Sequence, residues 1–242
     1  MKVLVVGANG QIGQKLTEIL HSDDEHSVLA MVRKQEQKEE FSKKGIETVI
    51  ADLEGSVAHL KQAMKGCDAI VFTAGSGGGT GAEKTLLIDL DGAVKTMEAA
   101  EAAGVDRFIM VSALQANNRE NWNEAIKPYY VAKHYADRVL VQSNLTYTII
   151  RPGGLLNEKG TGKISVGNQL ERGYIPREDV AQTIVEALSN EHTKKRSFDL
   201  IAGDDQISVA LNKQKASRLR CFLFIFIGQF RSNDCVCEKW VI

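Results

Sequence analysis

The chain of 242 residues holds only four cysteines, Cys67, Cys221, Cys235 and Cys237. Their spacing makes neither a disulfide framework nor a zinc pattern, and Cys235-Val236-Cys237 is too short to hold a metal by itself. A reduced, cytoplasmic setting is the expectation, with no metal. No apolar run approaches the roughly 20 residues of a spanning helix, so no membrane partner is expected. The first strand is read from Lys2 onward, so no leader is expected. Basic and acidic side chains number 30 and 31, a formal net charge of −1. That balance gives no ground for a nucleic acid or an anionic membrane as partner. No internal repeat is visible. What is left is an ordinary globular chain, 43% hydrophobic and 25% charged, large enough for one domain with a substantial core.

The most informative stretch opens the chain. Lys2 to Val6 is a short continuous apolar run, followed at once by Gly7-Ala8-Asn9-Gly10-Gln11-Ile12-Gly13. Ile12, Leu16, Ile19 and Leu20 then recur at helical spacing. The pattern reads as buried strand, glycine turn and helix. A diphosphate must approach such a backbone closely, where a Cβ would stand in the way, and it sits where the free N–H groups of a helix start point outward. Gly7, Asn9, Gly10, Gln11, Ile12 and Gly13 are therefore candidate cofactor contacts. The alternative is a structural turn that happens to be rich in glycine.

Strands and helices then alternate. Ser27 to Arg33 reads as a second strand. A site that prefers NAD places an acid at this strand's end, whereas an Arg accommodates a 2′-phosphate. Arg33 and Lys34 stand there with no acid before Glu36, which favours NADP(H) over NAD(H). The plainer reading makes them the start of a solvated helix, Gln35 to Lys44. A third strand, Ile46 to Ile50, leads to Asp52 and Leu53, placed to reach an adenine edge or only to shape a turn. After a short helix, Val57 to Lys65, a fourth strand over Cys67 to Thr73 is apolar but for Asp68, as suits a strand covered on both faces. Cys67 reads as a core residue. Ala74-Gly75 opens a second glycine-rich stretch at the carboxyl end of that strand, where open α/β sheets bind ligands. A flexible linker is the other reading.

A long helix is expected over Glu83 to Ala103, with Asp89 on or near its apolar face and an exposed Asp91–Lys95 pair. The fifth strand, Arg107 to Ser112, ends in a hydroxyl. A loop, Ala113 to Lys127, precedes a helix from Pro128 to Gln142. A sixth strand, Leu145 to Ile150, is stopped by Arg151-Pro152-Gly153-Gly154. Residues 157–173 read as an irregular loop over the carboxyl edge, Arg177 to Asn190 as a helix, and Arg196 to Ile201 as a seventh strand. These elements predict an α/β Rossmann-type doubly wound parallel sheet in the order 3-2-1-4-5-6. From Lys215 onward the composition changes. The fold is expected to be complete near Leu211, so residues 1–211 form the domain and 212–242 an atypical tail without functional assignment.

Tyr129 and Lys133 lie four apart on one helix face. A free phenol has a pKa near ~10, and a neighbouring ammonium favours its ionised form. Tyr129 would then exchange a proton with a substrate oxygen while hydride moves between carbon and nicotinamide, and Ser112 would hydrogen-bond the same oxygen. With five tyrosines, one Tyr-x-x-x-Lys arises by chance in about one such chain in three. Placement after the fifth strand, with Ser112 at that strand's end, is what distinguishes this pair. Tyr130 and His134 have the same spacing and read as packing and surface residues.

Taken together, the glycine turn Gly7 to Gly13, Ser112, Tyr129-Tyr130-Val131-Ala132-Lys133 and Arg151-Pro152-Gly153 resemble the short-chain dehydrogenase/reductase superfamily. The likeness spans residues 1–211 and is closest to atypical, sugar-epimerase-like and epimerase/dehydratase-like members. It implies that Tyr129 is the acid/base, that Lys133 binds the nicotinamide ribose and lowers the tyrosine pKa, that Ser112 orients substrate, and that Pro152 and Gly153 lie by the nicotinamide. Asp89 falls where the family carries a catalytic asparagine. About a hundred residues after the Arg-Pro-Gly turn serve substrate in the larger epimerases. Here 89 residues follow Gly153, and only a small covering region, 153–176, is free for it, so a small carbonyl or alcohol substrate is expected. Three readings stay open: an NADP(H)-dependent oxidoreductase, an epimerase or dehydratase with bound cofactor, and a non-catalytic NADP(H) sensor.

Overall fold

A computed structural model describes residues 1–213. Its spine is the expected parallel sheet: β1 (Lys2–Val6), β2 (Ser27–Val32), β3 (Glu47–Ile50), β4 (Ala69–Phe72), β5 (Arg107–Val111) and β6 (Thr146–Pro152) lie in the order 3-2-1-4-5-6. The seventh strand is present as β10 (Arg196–Ala202), parallel to β6. Alternation along each strand sends side chains to opposite faces. Val3 and Val5 join one core with Leu16, Leu20 and Ile184, while Leu4 and Val6 join the other with Leu60, Met97 and Leu140. Helices α1 (Gln11–His21), α2 (Gln35–Lys43) and α7 (Arg177–Ser189) cover the first face. Helices α3 (Val57–Ala63) and α6 (Lys127–Gln142) cover the second. Among the described residues no helix is long and apolar enough to cross a membrane.

One expectation holds with a change of winding, and one needs correction. The helix foreseen over 83–103 runs unbroken from Ala82 to Ala103, but it is wound as α4 (Ala82–Thr85), a π-helical stretch Leu86–Gly92, and α5 (Ala93–Ala103). π turns are rare and concentrate at functional sites. This one turns Asp89 wholly inward and brings the backbone of Gly92 onto Leu53, whose Cβ would lie 3.1 Å from a Cβ added there. The supposed loop 157–173 contains β8 (Lys163–Gly167), which pairs antiparallel with β10 and with β11 (Asp205–Gln206). It is held by Ile164, fully buried, and Val166, packed against the same core, an alternation of two residues too short to announce a strand in a glycine-rich stretch. Beside it β7 (Gly154–Leu156) and β9 (Tyr174–Pro176) form a two-stranded parallel ribbon.

Cys67 is a core thiol, pushed up to about 11 by burial. Lys95 and Asp91 pair at 2.8 Å. Leu211 is buried in α8 (Ile207–Lys213). The tail that carries Cys221, Cys235 and Cys237 lies outside the described residues.

Candidate active site

Strands β1 and β4 are neighbours, but their connections run to opposite sides, and a crevice opens at such a switch of direction. The glycine turn fills its mouth. Gly7 has φ +88°, and a Cβ on it would stand 2.6 Å from the Ala74 nitrogen. A Cβ on Gly13 would stand 2.2 Å from the Gly7 oxygen. These two glycines let α1 and the post-β4 loop close on the turn. Gly10 donates its N–H to the Gly7 oxygen at 2.9 Å, which folds the turn. Helix α1 then begins with no side-chain cap and no acid in its first turn, and Asn9, Gly10 and Gln11 are exposed. Ile12 is buried as the packing anchor. Free outward amides at a helix start are suited to an anion. A dinucleotide diphosphate fits these residues.

Arg33 and Lys34 extend beyond β2, next to the turn through the β1–β2 register. Their side chains are exposed, and their N–H groups donate to Gln37 Oε1 at 3.0 and 3.1 Å, starting α2. Asp52 shapes its turn: Oδ1 accepts the Glu54 N–H at 3.0 Å and its carbonyl accepts the Gly55 N–H at 3.0 Å. Leu53 is buried under Gly92. Gly75 lies directly over Asp89, whose Oδ1 would be 3.1 Å from an added Cβ.

Asp89 and Lys133 form a sealed ion pair. Oδ1 lies 3.2 Å from Lys133 Nζ, with side chains 0% and 4% exposed, although the approach is not aligned as a hydrogen bond. Oδ2 accepts the Ser76 N–H at 2.9 Å, tying the glycine-rich loop to the pair. Lys133 Nζ also donates to the Val111 carbonyl at 3.3 Å and lies 5.6 Å from the centre of the Tyr129 ring. Burial works against the Lys133 charge, but Tyr129 and Asp89 outweigh it and hold its pKa above the ordinary lysine value. Tyr129 is half-buried. Burial pushes its phenol up, Lys133 pulls it down, and Asp89 pushes it up again. The net direction is upward, opposite to the lowered value expected from the Tyr-Lys spacing alone. The physical reason is first burial, which disfavours the charged phenolate, and then Asp89, which offsets the ammonium that was to do the lowering.

Ser112 follows β5 directly, at that strand's carboxyl end, and its hydroxyl is buried without a hydrogen-bond partner among the described residues. Through the β5–β6 register it neighbours Arg151. Arg151 Nε pairs with Asp137 Oδ2 at 2.7 Å, both side chains at most 5% exposed. Burial raises the Asp137 carboxyl, and Arg151 and the nearby Ser112 hydroxyl oppose that shift. Asp199 on β10 accepts N–H groups from Gln115 (3.1 Å) and Leu170 (3.3 Å). It thereby clamps the post-β5 loop to the covering segment. Gln115 takes φ +56°, and its side chain amide donates to the Leu170 carbonyl. At the other end of that segment, Asp179 accepts N–H groups from Thr161 (3.0 Å) and Gly162 (2.8 Å).

Asp137, Arg151 and Asp199 as a group were missed by sequence reasoning. The one available signal was Asp137, four residues after Lys133 on the same helix face. Pro152 is buried at the end of β6, and Gly153 is needed because a Cβ there would stand 2.3 Å from the Gly173 oxygen. His134 is buried, not superficial, with Nδ1 2.9 Å from the Ala116 carbonyl. Tyr130 packs as expected.

Comparison with known proteins agrees with this geometry. The uncharacterised sugar epimerase YhfK of Bacillus subtilis is 62% identical over 213 residues, 88% of this chain and 100% of that protein. Among solved structures, a proposed NAD-dependent epimerase/dehydratase of Bacillus halodurans has a TM-score of 0.82 at 41% identity, over 88% of this chain and 99% of its own. The oxidoreductase ylbE of Lactococcus lactis has a TM-score of 0.79 at 34% identity, over 88% of this chain and 96% of its own. The resemblance to sugar-epimerase-like and epimerase/dehydratase-like proteins stands, and with it an NAD(P)-dependent enzyme of the oxidoreductase or epimerase-like kind. A family model described as NAD(P)H-binding matches residues 7–191, and on that span the chain belongs to the NAD(P)H-binding family.

Proposed function

We propose that this enzyme is an NADP(H)-dependent reductase of a small carbonyl compound, working in a reduced cytoplasmic setting, with Tyr129 as the proton donor. The observation that carries the reading is the Asp89–Lys133–Tyr129 cluster, buried under the glycine-rich loop at the carboxyl edge of the sheet. When bound, the nucleotide supplies the hydride. The chain's own residues do the rest. The amides at the start of α1 hold the diphosphate. Arg33 and Lys34 receive the 2′-phosphate, with Arg suited to a bidentate grip. Lys133 lines the floor on which the nicotinamide ribose rests. Tyr129 gives its proton to the substrate oxygen. Ser112, whose buried hydroxyl has no partner among the described residues, hydrogen-bonds the same oxygen. A small substrate is favoured because the covering segment is short and pinned at both ends, by Asp179 and Asp199.

The test is NADPH oxidation across a panel of small aldehydes and ketones. Tyr129→Phe is expected to lower kcat by about 10²–10⁴, while NADPH affinity measured by calorimetry stays within about twofold, since the phenol is not part of the diphosphate or 2′-phosphate grip. A wild-type protein inert toward the whole panel with both nucleotides, or a Tyr129→Phe protein that keeps its rate, ends this reading.

A further inference from the structure

Resting on the reductase reading, the inference concerns the direction in which the site runs. We propose that Asp89 sets that direction: by quenching the Lys133 charge it keeps Tyr129 as a phenol, so the site is built to donate a proton to a carbonyl oxygen and is poorly suited to remove one from an alcohol.

The argument begins with placement. Asp89 is fully buried, and its two oxygens are committed, one to Lys133 at 3.2 Å and one to the Ser76 N–H at 2.9 Å. The π-helical stretch turns it inward. Lys133 has no other anion in hydrogen-bond reach among the described residues, and its remaining contact is the Val111 carbonyl. Burial of the ring weighs most against the phenolate, and Asp89 decides how far Lys133 can offset it; the titratable groups bearing on the Tyr129 phenol are few. From α6 these are Lys133, Tyr130 and Asp137, and from the π stretch Asp89. Only Lys133 favours the phenolate, and it lies 5.6 Å from the ring centre with a carboxylate against its ammonium. At low local dielectric a neutralised pair exerts far less field than a bare cation.

The two directions of the reaction make opposite demands on this oxygen. In reduction, hydride from the reduced nucleotide forms a new C–H bond at the carbonyl carbon and the C=O π bond breaks. Its electron pair takes the Tyr129 proton to make O–H. The nucleotide is oxidised, and the phenolate left behind recovers a proton from water. In oxidation the phenolate must already be present to accept the alcohol proton. A phenol held above its ordinary pKa is ready for the first task at neutral pH and scarce in the form that the second needs. Epimerisation by transient oxidation needs the same scarce phenolate.

The test reads Tyr129 in the nucleotide-free protein, by phenolate absorbance titrated with alkali over the range in which circular dichroism is unchanged. The difference between wild type and Tyr129→Phe isolates this tyrosine from the other four. The wild-type step is expected above the free-phenol value of ~10. Asp89→Asn keeps the shape and an acceptor for Ser76 and is expected to move the step down by about one pH unit or more. A wild-type step at or below ~10, or an Asp89→Asn step unmoved or raised, overturns the proposal. The wild-type measurement stands even if the variant does not fold. In the loaded enzyme at pH 7 with substrate and nucleotide saturating, the ratio of kcat for alcohol oxidation to kcat for carbonyl reduction is expected to rise about tenfold in Asp89→Asn, following the phenolate fraction. An unchanged ratio also overturns the proposal. If wild type turns over in neither direction while the titration behaves as stated, the reductase reading and the assigned direction fail together, and only the electrostatic effect of Asp89 survives.

Discussion

The β1–α1 junction and the layer beneath Tyr129 face one cleft but are built from opposite materials. The junction works with backbone. Its functional groups are amides that the helix geometry leaves over, its side chains are mostly absent or exposed, and its accuracy depends on two missing Cβ atoms, at Gly7 and Gly13. The layer under Tyr129 works with buried charge. Lys133, Asp89, Asp137 and Arg151 are each at most 4% exposed as whole residues. Each taken singly is a heavy desolvation penalty, and only mutual pairing makes them tolerable. The difference shows how the molecule separates holding from reacting. A phosphate is gripped at little expense by atoms any helix provides. A proton must be placed on a chosen atom, and that takes charges kept from water.

Substitutions can break this comparison. The largest effect is expected at the junction. Gly13→Val would put a Cβ 2.2 Å from the Gly7 oxygen, and the helix start must move away from β1. About 3 kcal/mol or more of stability should be lost in urea unfolding, together with nucleotide binding. A Gly13→Val protein with an unchanged midpoint would mean that the close approach is not required.

Next comes Arg151→Leu, which leaves Asp137 buried and unpaired. Removing one partner of such a pair costs about 3–5 kcal/mol, and the cost should depend on pH. Burial already holds the Asp137 carboxyl above its ordinary value, against the pull of Arg151. A group whose folded pKa is raised contributes its stability below the unfolded value and loses it as pH rises through the folded one. Without Arg151 the folded value rises further, so the deficit against wild type should be smaller at pH 5 than at pH 8. Equal deficits at the two pH values would show that Asp137 does not need the pairing.

The smallest effect belongs to the exposed rim. Arg33→Ala should weaken NADPH binding about tenfold, the scale of one charge-assisted contact near solvent. NADH binding and the unfolding midpoint should hardly change. Equal losses for the two nucleotides would remove the 2′-phosphate assignment.

Legibility from sequence follows the same division. The glycine turn, the alternation of β and α, the strand order and the Tyr129–Lys133 pairing were all readable because they depend on near neighbours. A turn needs glycine at a few adjacent positions, and a helix face repeats every three to four residues. The π stretch at Leu86–Gly92 was not readable, since its apolar spacing differs little from that of an α-helix. β8 was hidden because Ile164 and Val166 give only two alternating apolar positions inside a polar, glycine-rich stretch. The position of Ser112 at the end of β5 was readable for the same local reason as the strand itself.

By itself, the sequence determined a doubly wound sheet with an anion-receptive first turn and a tyrosine one helical turn from a lysine, because local sterics and hydrogen bonding suffice for each. Only the tertiary structure decided the charges around that tyrosine. Asp89 reaches Lys133, and Arg151 reaches Asp137, across separate elements of the chain. No local pattern encodes which buried cation meets which buried anion, because that choice is made by packing, where an unpaired charge cannot be left away from water.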